Sequence, residues 1–181
     1  MINLKENGHK GLFTSKSYEW TTPKWLFDEL SKWFDFDCDV CASDENHLCD
    51  SYFTEENSCL DKDWHRINFM NPPYGYGIGK FIKKAYDETK NNGVSTIAVL
   101  PARTDTKWFH DYIYQKAEII FVKGRLKFGG GEFDYDAPFP SMIVFWGFHK
   151  PADLYIEDLR EMINSRKVNP RGNIIDTKKE K

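Results

Sequence analysis

No stretch of the 181-residue chain approaches the roughly 20 consecutive apolar residues of a membrane-spanning helix. The first ten residues, MINLKENGHK, lack the apolar segment of a secretory signal. A cytoplasmic protein with no membrane partner is therefore expected. Basic residues are not in excess either: 25 Lys and Arg stand against 28 Asp and Glu, a net charge of −3. That total leaves a nucleic-acid partner open, because phosphate binding needs positive charge locally and not over the whole chain. Cys38, Cys41, Cys49 and Cys59 lie within 22 residues, with His47 among them. No second Cys-x-x-Cys or His-x-x-x-His accompanies them, so a zinc site is not the expected reading. Cys38 and Cys41 also fall in an alternating, strand-like segment, which favours buried reduced thiols over metal ligands.

What is present describes one packed domain. Hydrophobic residues make up 40% and aromatic residues 16% of the chain, enough for a sizeable core but short for two domains. Charge is unevenly spread. Residues 28–63 carry a local balance of −10, against +3 for residues 103–127 and +4 for residues 160–181. The acidic third is not a face for a polyanion; it can hold a cationic cofactor or simply be a solvated acidic surface.

Residues 1–19 read as an irregular N-terminal segment, 20–165 as the folded domain and 166–181 as a basic, flexible tail. Thr22 and Pro23 open a helix, Thr22 as N-cap and Pro23 at the first helical position. Leu26, Leu30, Trp33 and Phe34 form its apolar face. Strands are predicted at Phe34–Val40, Ser51–Thr54, Ile67–Met70, Ser95–Leu100, Ala117–Val122 and Ser141–Phe148. Helices are predicted at Gly79–Lys90, stopped by Asn92-Gly93, at Thr104–Gln115 and at Asp153–Asn164. A Gly-rich aromatic loop spans Gly124–Pro140. Alternating strands and helices imply an α/β fold with a mostly parallel sheet and helices on both faces. The last two strands lack an intervening helix and are expected to pair antiparallel. Sites in such sheets lie at the strands' carboxyl ends, where Asp39–Ala42, Asn71–Tyr74 and Pro101–Thr104 all fall.

Of these loops Asn71-Pro72-Pro73-Tyr74-Gly75 is the most informative. Two prolines fix their own φ near −65° and push Asn71 out of the helical region. The stiff loop can aim the Asn71 side-chain oxygen and the Pro72 carbonyl at one point, beside the ring of Tyr74. Two acceptors and an aromatic face suit a planar group bearing NH2, such as adenine, cytosine or an amide. Hydrogen-bonding that amine enriches its delocalised lone pair and fixes the direction of attack, which is catalysis by positioning and preorganised electrostatics. The same five residues also make an ordinary rigid turn.

Together with Trp20-Thr21-Thr22-Pro23, Asp39-Val40-Cys41-Ala42, Tyr52-Phe53-Thr54, Asp63-Trp64, Leu100–Phe109, Gly124–Phe128 and Ala137–Ser141, this loop resembles the phage DNA N-6-adenine-methyltransferase family, within the S-adenosylmethionine-dependent methyltransferases. The resemblance runs from Trp20 to about Phe148. It implies a Rossmann-like methyltransferase fold, with S-adenosylmethionine as cofactor and DNA as partner. The reaction it implies is methyl transfer to N6 of a flipped-out adenine, in the host cytoplasm if a phage encodes the chain. Asn71, Pro72, Pro73 and Tyr74 match the catalytic loop. Thr22, Pro23, Asp39, Cys41, Ala42, Asp63 and Trp64 match cofactor-binding positions. The chain departs from the wider superfamily in having no glycine in Asp39–Ser43.

A separate target-recognition domain is not expected within these 181 residues. Arg103, Lys107, Arg125 and Lys127 are the candidates for DNA contact, their alternative being a solvated helix face and a hairpin. Cytosine N4, RNA or a protein glutamine as methyl acceptor, and a noncatalytic nucleic-acid-binding module, remain the competing readings.

Overall fold

The computed structural model describes residues 20–129, 135–148 and 152–165. The expectations for 1–19 and 166–181 lie outside the described residues. A five-stranded sheet forms the middle layer, built from β1 (Cys38–Asp39), β2 (Ile67–Met70), β3 (Ser95–Pro101), β4 (Glu118–Phe121) and β7 (Ser141–Trp146). A hairpin of β5 (Lys127–Phe128) and β6 (Tyr135–Asp136) stands apart. The helices are α1 (Lys24–Leu30), α2 (Ile78–Asn92), α3 (Lys107–Tyr112) and α4 (Ala152–Ser165).

The strand order is β1-β2-β3-β7-β4. The first three are parallel, and β7 runs antiparallel to both of its neighbours. The expectation of a mostly parallel sheet is thus corrected to a mixed one. Four strands share one sense, yet β7 inserts between β3 and β4 instead of extending an edge. The chain leaves β4 and returns through the hairpin without a crossover helix, so it must reverse. All six β7 residues are buried, which a central position satisfies and an edge would not.

The sheet is covered on both faces, as the alternation implies. Ala98, Leu100, Met142, Val144 and Trp146 pack with Ile78, Ile82 and Ala85 of α2 and with Phe109 of α3. On the other face, Ile97, Val99, Ile143 and Phe145 pack with Leu26 and Leu30 of α1 and with Leu159 and Ile163 of α4. Each large apolar side chain so buried contributes about 1.5–3 kcal/mol. The exposed edge at β4 is managed by α4: Arg160 donates to the Ile119 carbonyl at 3.2 Å, and Asn164 bonds both Lys123 N and Phe121 O.

Several boundaries differ from the periodicity. Regular pairing in the segment Phe34–Val40 is confined to Cys38–Asp39, because Phe34 and Phe36 leave the ladder for an aromatic cluster with Phe27, Phe145 and Phe148. Ser51–Thr54 forms one parallel bridge, Asp39 to Tyr52. Trp33 is 39% exposed instead of buried, since α1 ends before its turn comes round. The third helix begins at Lys107, after an extended Thr106, and stops at Tyr112.

Thr22 does not cap α1. Pro23 occupies the N-cap with no side-chain bond, and the Thr22 hydroxyl is taken by a tertiary partner. Gly93 ends α2 in the left-handed conformation, φ 69°, as its sequence position implied. Gly147 has φ +80°, and a Cβ there would come within 2.6 Å of the Val94 carbonyl. Gly147→Ala should therefore cost more than about 1 kcal/mol, measured by chemical denaturation.

Candidate active site

Because β1, β2 and β3 are parallel, their carboxyl ends open on one edge. There the loops after Asp39, Met70 and Pro101 all begin, as the strand pattern implied. Asn71 leaves β2 on the face covered by α1. Its Nδ2 donates to the Trp20 carbonyl at 2.5 Å and to Thr22 Oγ1 at 2.9 Å. A carbonyl can only accept, so the atom facing Trp20 is the NH2 and the amide orientation is fixed by its partners. The Asn71 Oδ1 is consequently left buried with no hydrogen-bond partner. Native interiors seldom leave such an acceptor unmatched, and this one can receive an N–H from a ligand.

Pro72 is buried and Pro73 exposed. Tyr74 is half-buried and donates its hydroxyl to the Val99 carbonyl at 3.0 Å. Burial pushes that phenol well above its ordinary pKa, so it remains a neutral donor. Its ring meets Phe128 and Phe139 edge-on, at centroid distances of 5.9 and 5.4 Å. Trp20 meets the same two rings at 5.7 and 5.4 Å. Four aromatic rings thus assemble beside the free Asn71 oxygen. Phe128 brings the β5–β6 hairpin to the site, and Gly129 N bonds the Thr21 carbonyl at 3.3 Å.

Asp39 is 3% exposed. Its two oxygens accept from Cys41 N at 3.2 Å and Leu48 N at 3.3 Å, so the carboxylate shapes the turn through Ala42 from beneath. Burial pushes its pKa up to about 6, while the two backbone N–H groups and His47 oppose that rise. Cys41 shares a side-chain hydrogen bond with Cys59; burial raises Cys41, and the bond lowers Cys59. Burial pushes Cys38 to about 11 and Cys49 to about 12, so both are neutral thiols near pH 7. Among the described residues, no group of three or more His, Cys, Asp and Glu side chains converges in a metal-binding arrangement.

The structure does not bring every candidate to this edge. Asp63 is exposed and Trp64 is buried in the core, three residues before the amino end of β2. Trp64 Nε1 donates to the Cys59 carbonyl at 2.9 Å, so it supports the segment behind Cys41. Arg103 and Arg125 are exposed, and Lys127 is half-buried within β5. Lys107 is exposed and paired with Asp111 one turn along α3. The sequence assigned no role to the Trp20 carbonyl, Phe128 or Phe139. Backbone acceptors leave no sequence signal; for Phe139 the flanking Pro138 and Pro140 are the one local signal of a rigidly held ring.

Residues 12–173 match the DNA N-6-adenine-methyltransferase (Dam) family. A DNA N-6-adenine-methyltransferase of Escherichia phage T1 is 32% identical over 110 residues, covering 59% of this chain and 45% of that protein. One from Haemophilus phage HP1 (strain HP1c1) is 30% identical over 117 residues, covering 62% of this chain and 67% of that protein.

The raised pKa of Asp39 has a defined consequence for stability. An acid that ionises less readily folded than unfolded costs stability as pH rises between its two pKa values. For Asp39 that window runs from the ordinary 3.8 to about 6. Relative to wild type, Asp39→Asn should gain about 1.4 kcal/mol per pH unit across it and nothing further above it. Denaturation at a series of pH values reads this slope, whatever the constant offset of the substitution.

Proposed function

This chain belongs to the DNA N-6-adenine-methyltransferase family, and from that premise we propose that it methylates N6 of an adenine flipped out of DNA, with S-adenosylmethionine as donor. The mixed sheet, on this reading, is the Rossmann-like methyltransferase fold. The observation that carries the proposal is the buried, unpartnered Asn71 Oδ1, whose amide is held by Trp20 and Thr22.

The donor fits the chemistry of the neighbouring loop. A cationic sulfonium is matched by the buried Asp39 carboxylate under the Cys41–Ala42 turn, and Thr22 and Pro23 are the proposed contacts from the segment that holds Asn71. Trp64 acts through Cys59, whose carbonyl it bonds, and Asp63 stands exposed beside it. When bound, S-adenosylmethionine supplies an electrophilic methyl carbon whose bond to sulfur breaks as the N6 lone pair forms the new N–C bond.

The chain's own residues prepare the acceptor. Asn71 Oδ1 accepts one N6 hydrogen and the Pro72 carbonyl the other, which localises the lone pair on nitrogen. Neither is a strong base, so the surplus N6 proton passes to water after transfer. Tyr74, anchored at its hydroxyl, offers a ring face to the adenine, and its aromatic neighbours keep water from the reacting atoms. Arg103, Lys107, Arg125 and Lys127 are the proposed contacts to DNA, with the hairpin as the element nearest the bases.

Transfer of labelled methyl from S-adenosylmethionine to unmethylated duplex DNA, followed by nucleoside identification, tests the proposal. N6-methyladenine is expected; N4-methylcytosine, or transfer to RNA or protein alone, overturns it. Asn71→Ala should lower turnover by about 10²-fold or more, with cofactor affinity, measured by calorimetry, within a few-fold of wild type. Tyr74→Phe should keep the stacking face and most activity, while loss of the bond to Val99 lowers stability by about 1 kcal/mol. Activity assays and denaturation on the same variant separate these two outcomes.

A further inference from the structure

Tyr76 is the most exposed large hydrophobic residue among the described residues, at 111% of its reference exposure. Single exposed aromatics are common and call for no explanation by themselves, but the setting of this one is unusual. It lies three residues beyond Pro73, in the loop that carries the chain from Asn71 into α2. Five residues span at most about 17 Å, so the ring stays close to the base held at Asn71.

Both of its neighbours are glycines: Gly77 is the N-cap of α2, a position that glycine suits, and Gly75 has no such folding role. Gly75 and Gly77 are absent from the positive-φ positions. A Cβ at Gly75 would meet nothing within 4 Å, and one at Gly77 would meet only the flexible end of Lys80, at 3.3 Å. What glycine supplies on either side of Tyr76 is freedom for the ring to be re-aimed.

Positive charge borders the same loop. Lys80 lies in the first turn of α2, and its ammonium sits 5.5 Å from the Phe81 ring centroid. A Cβ at Gly79 would lie 3.6 Å from Trp108, so the start of α2 abuts the start of α3. That contact brings the start of α3, where the exposed Lys107 precedes Trp108 and pairs with Asp111, toward the tyrosine loop. An apolar, planar tip between cationic side chains matches a nucleic-acid duplex, with phosphates outside and a stack of bases within.

We propose that Tyr76 is a positioning residue that inserts into the duplex and fills the gap left by the extruded adenine. The inference rests on the reading that the substrate is DNA. Extrusion opens a hole in the stack, and unstacking is costly unless another planar surface replaces the base. A fully exposed phenol ring gains by entering that dry slot, which lowers the energy of the state with the adenine at Asn71. The ring does not touch the reacting atoms. Its effect is on the population of extruded base.

The test uses the full chain and a duplex bearing the adenine site mapped from the wild-type methylation product. A second duplex places that adenine opposite an abasic position, where no partner holds it in. On the paired duplex, Tyr76→Ala should lose at least about tenfold in kcat/KM. On the abasic duplex it should come within about threefold of wild type. Tyr76→Phe and Tyr76→Trp should stay near wild type on both. The melting temperature and S-adenosylmethionine affinity of Tyr76→Ala should not change. Equal losses on the two duplexes, or an intact rate on the paired one, overturn the wedge. Absence of wild-type transfer to any DNA would overturn the proposed function instead, and is seen before any Tyr76 variant is made.

Discussion

The amide of Asn71 is held from one side only, and the arrangement of the site follows from that. Its NH2 is used up by the Trp20 carbonyl and the Thr22 hydroxyl, and its oxygen is left inside the protein with nothing to accept. Leaving a polar atom in this state costs on the order of 1–3 kcal/mol, a cost placed where a ligand can remove it. The same two bonds pull the segment before α1 over the end of β2, 49–51 residues away in sequence. Trp20 thereby reaches Phe128 and Phe139, and the hairpin is drawn to the site.

The sheet supplies the frame for this interaction. Parallel β1, β2 and β3 bring three loops to one edge, and the reversed β7 lies between β3 and β4. A reversed strand in the middle of the sheet begins at the edge where its parallel neighbours end. The Pro138–Pro140 segment therefore enters β7 at the level of the Asn71–Tyr74 loop, and Phe139 lies against Tyr74. Asp39 works from below the edge. Its carboxylate is spent on backbone N–H groups, giving the glycine-free loop after β1 a defined shape.

Much of the frame was legible in the residues. The apolar run of β3 reads as buried on both faces and is so. Gly93 reads as a helix stop and adopts the left-handed cap. The antiparallel pairing of the last two large-sheet strands follows from the missing helix between them. The short β1 was not legible, since an alternating Phe-Asp-Phe-Asp pattern does not say that both phenylalanines prefer an aromatic cluster to the ladder. Thr22 was misjudged for a related reason. A hydroxyl before Pro has the local form of a helix cap, and only the presence of Asn71 in space diverts it.

By itself the sequence determined the α/β class, the stiffness of the Asn71 loop and its place at a strand end. These depend on periodicity and on proline geometry, which act over a few neighbouring residues. The tertiary structure alone decided that β7 lies inside the sheet and that Trp64 backs the core segment at Cys59. It also decided which atom of the Asn71 amide is free. Each of these depends on groups tens of residues apart meeting as donor and acceptor or as packed surfaces. No local pattern encodes which backbone carbonyl will be waiting when the chain closes.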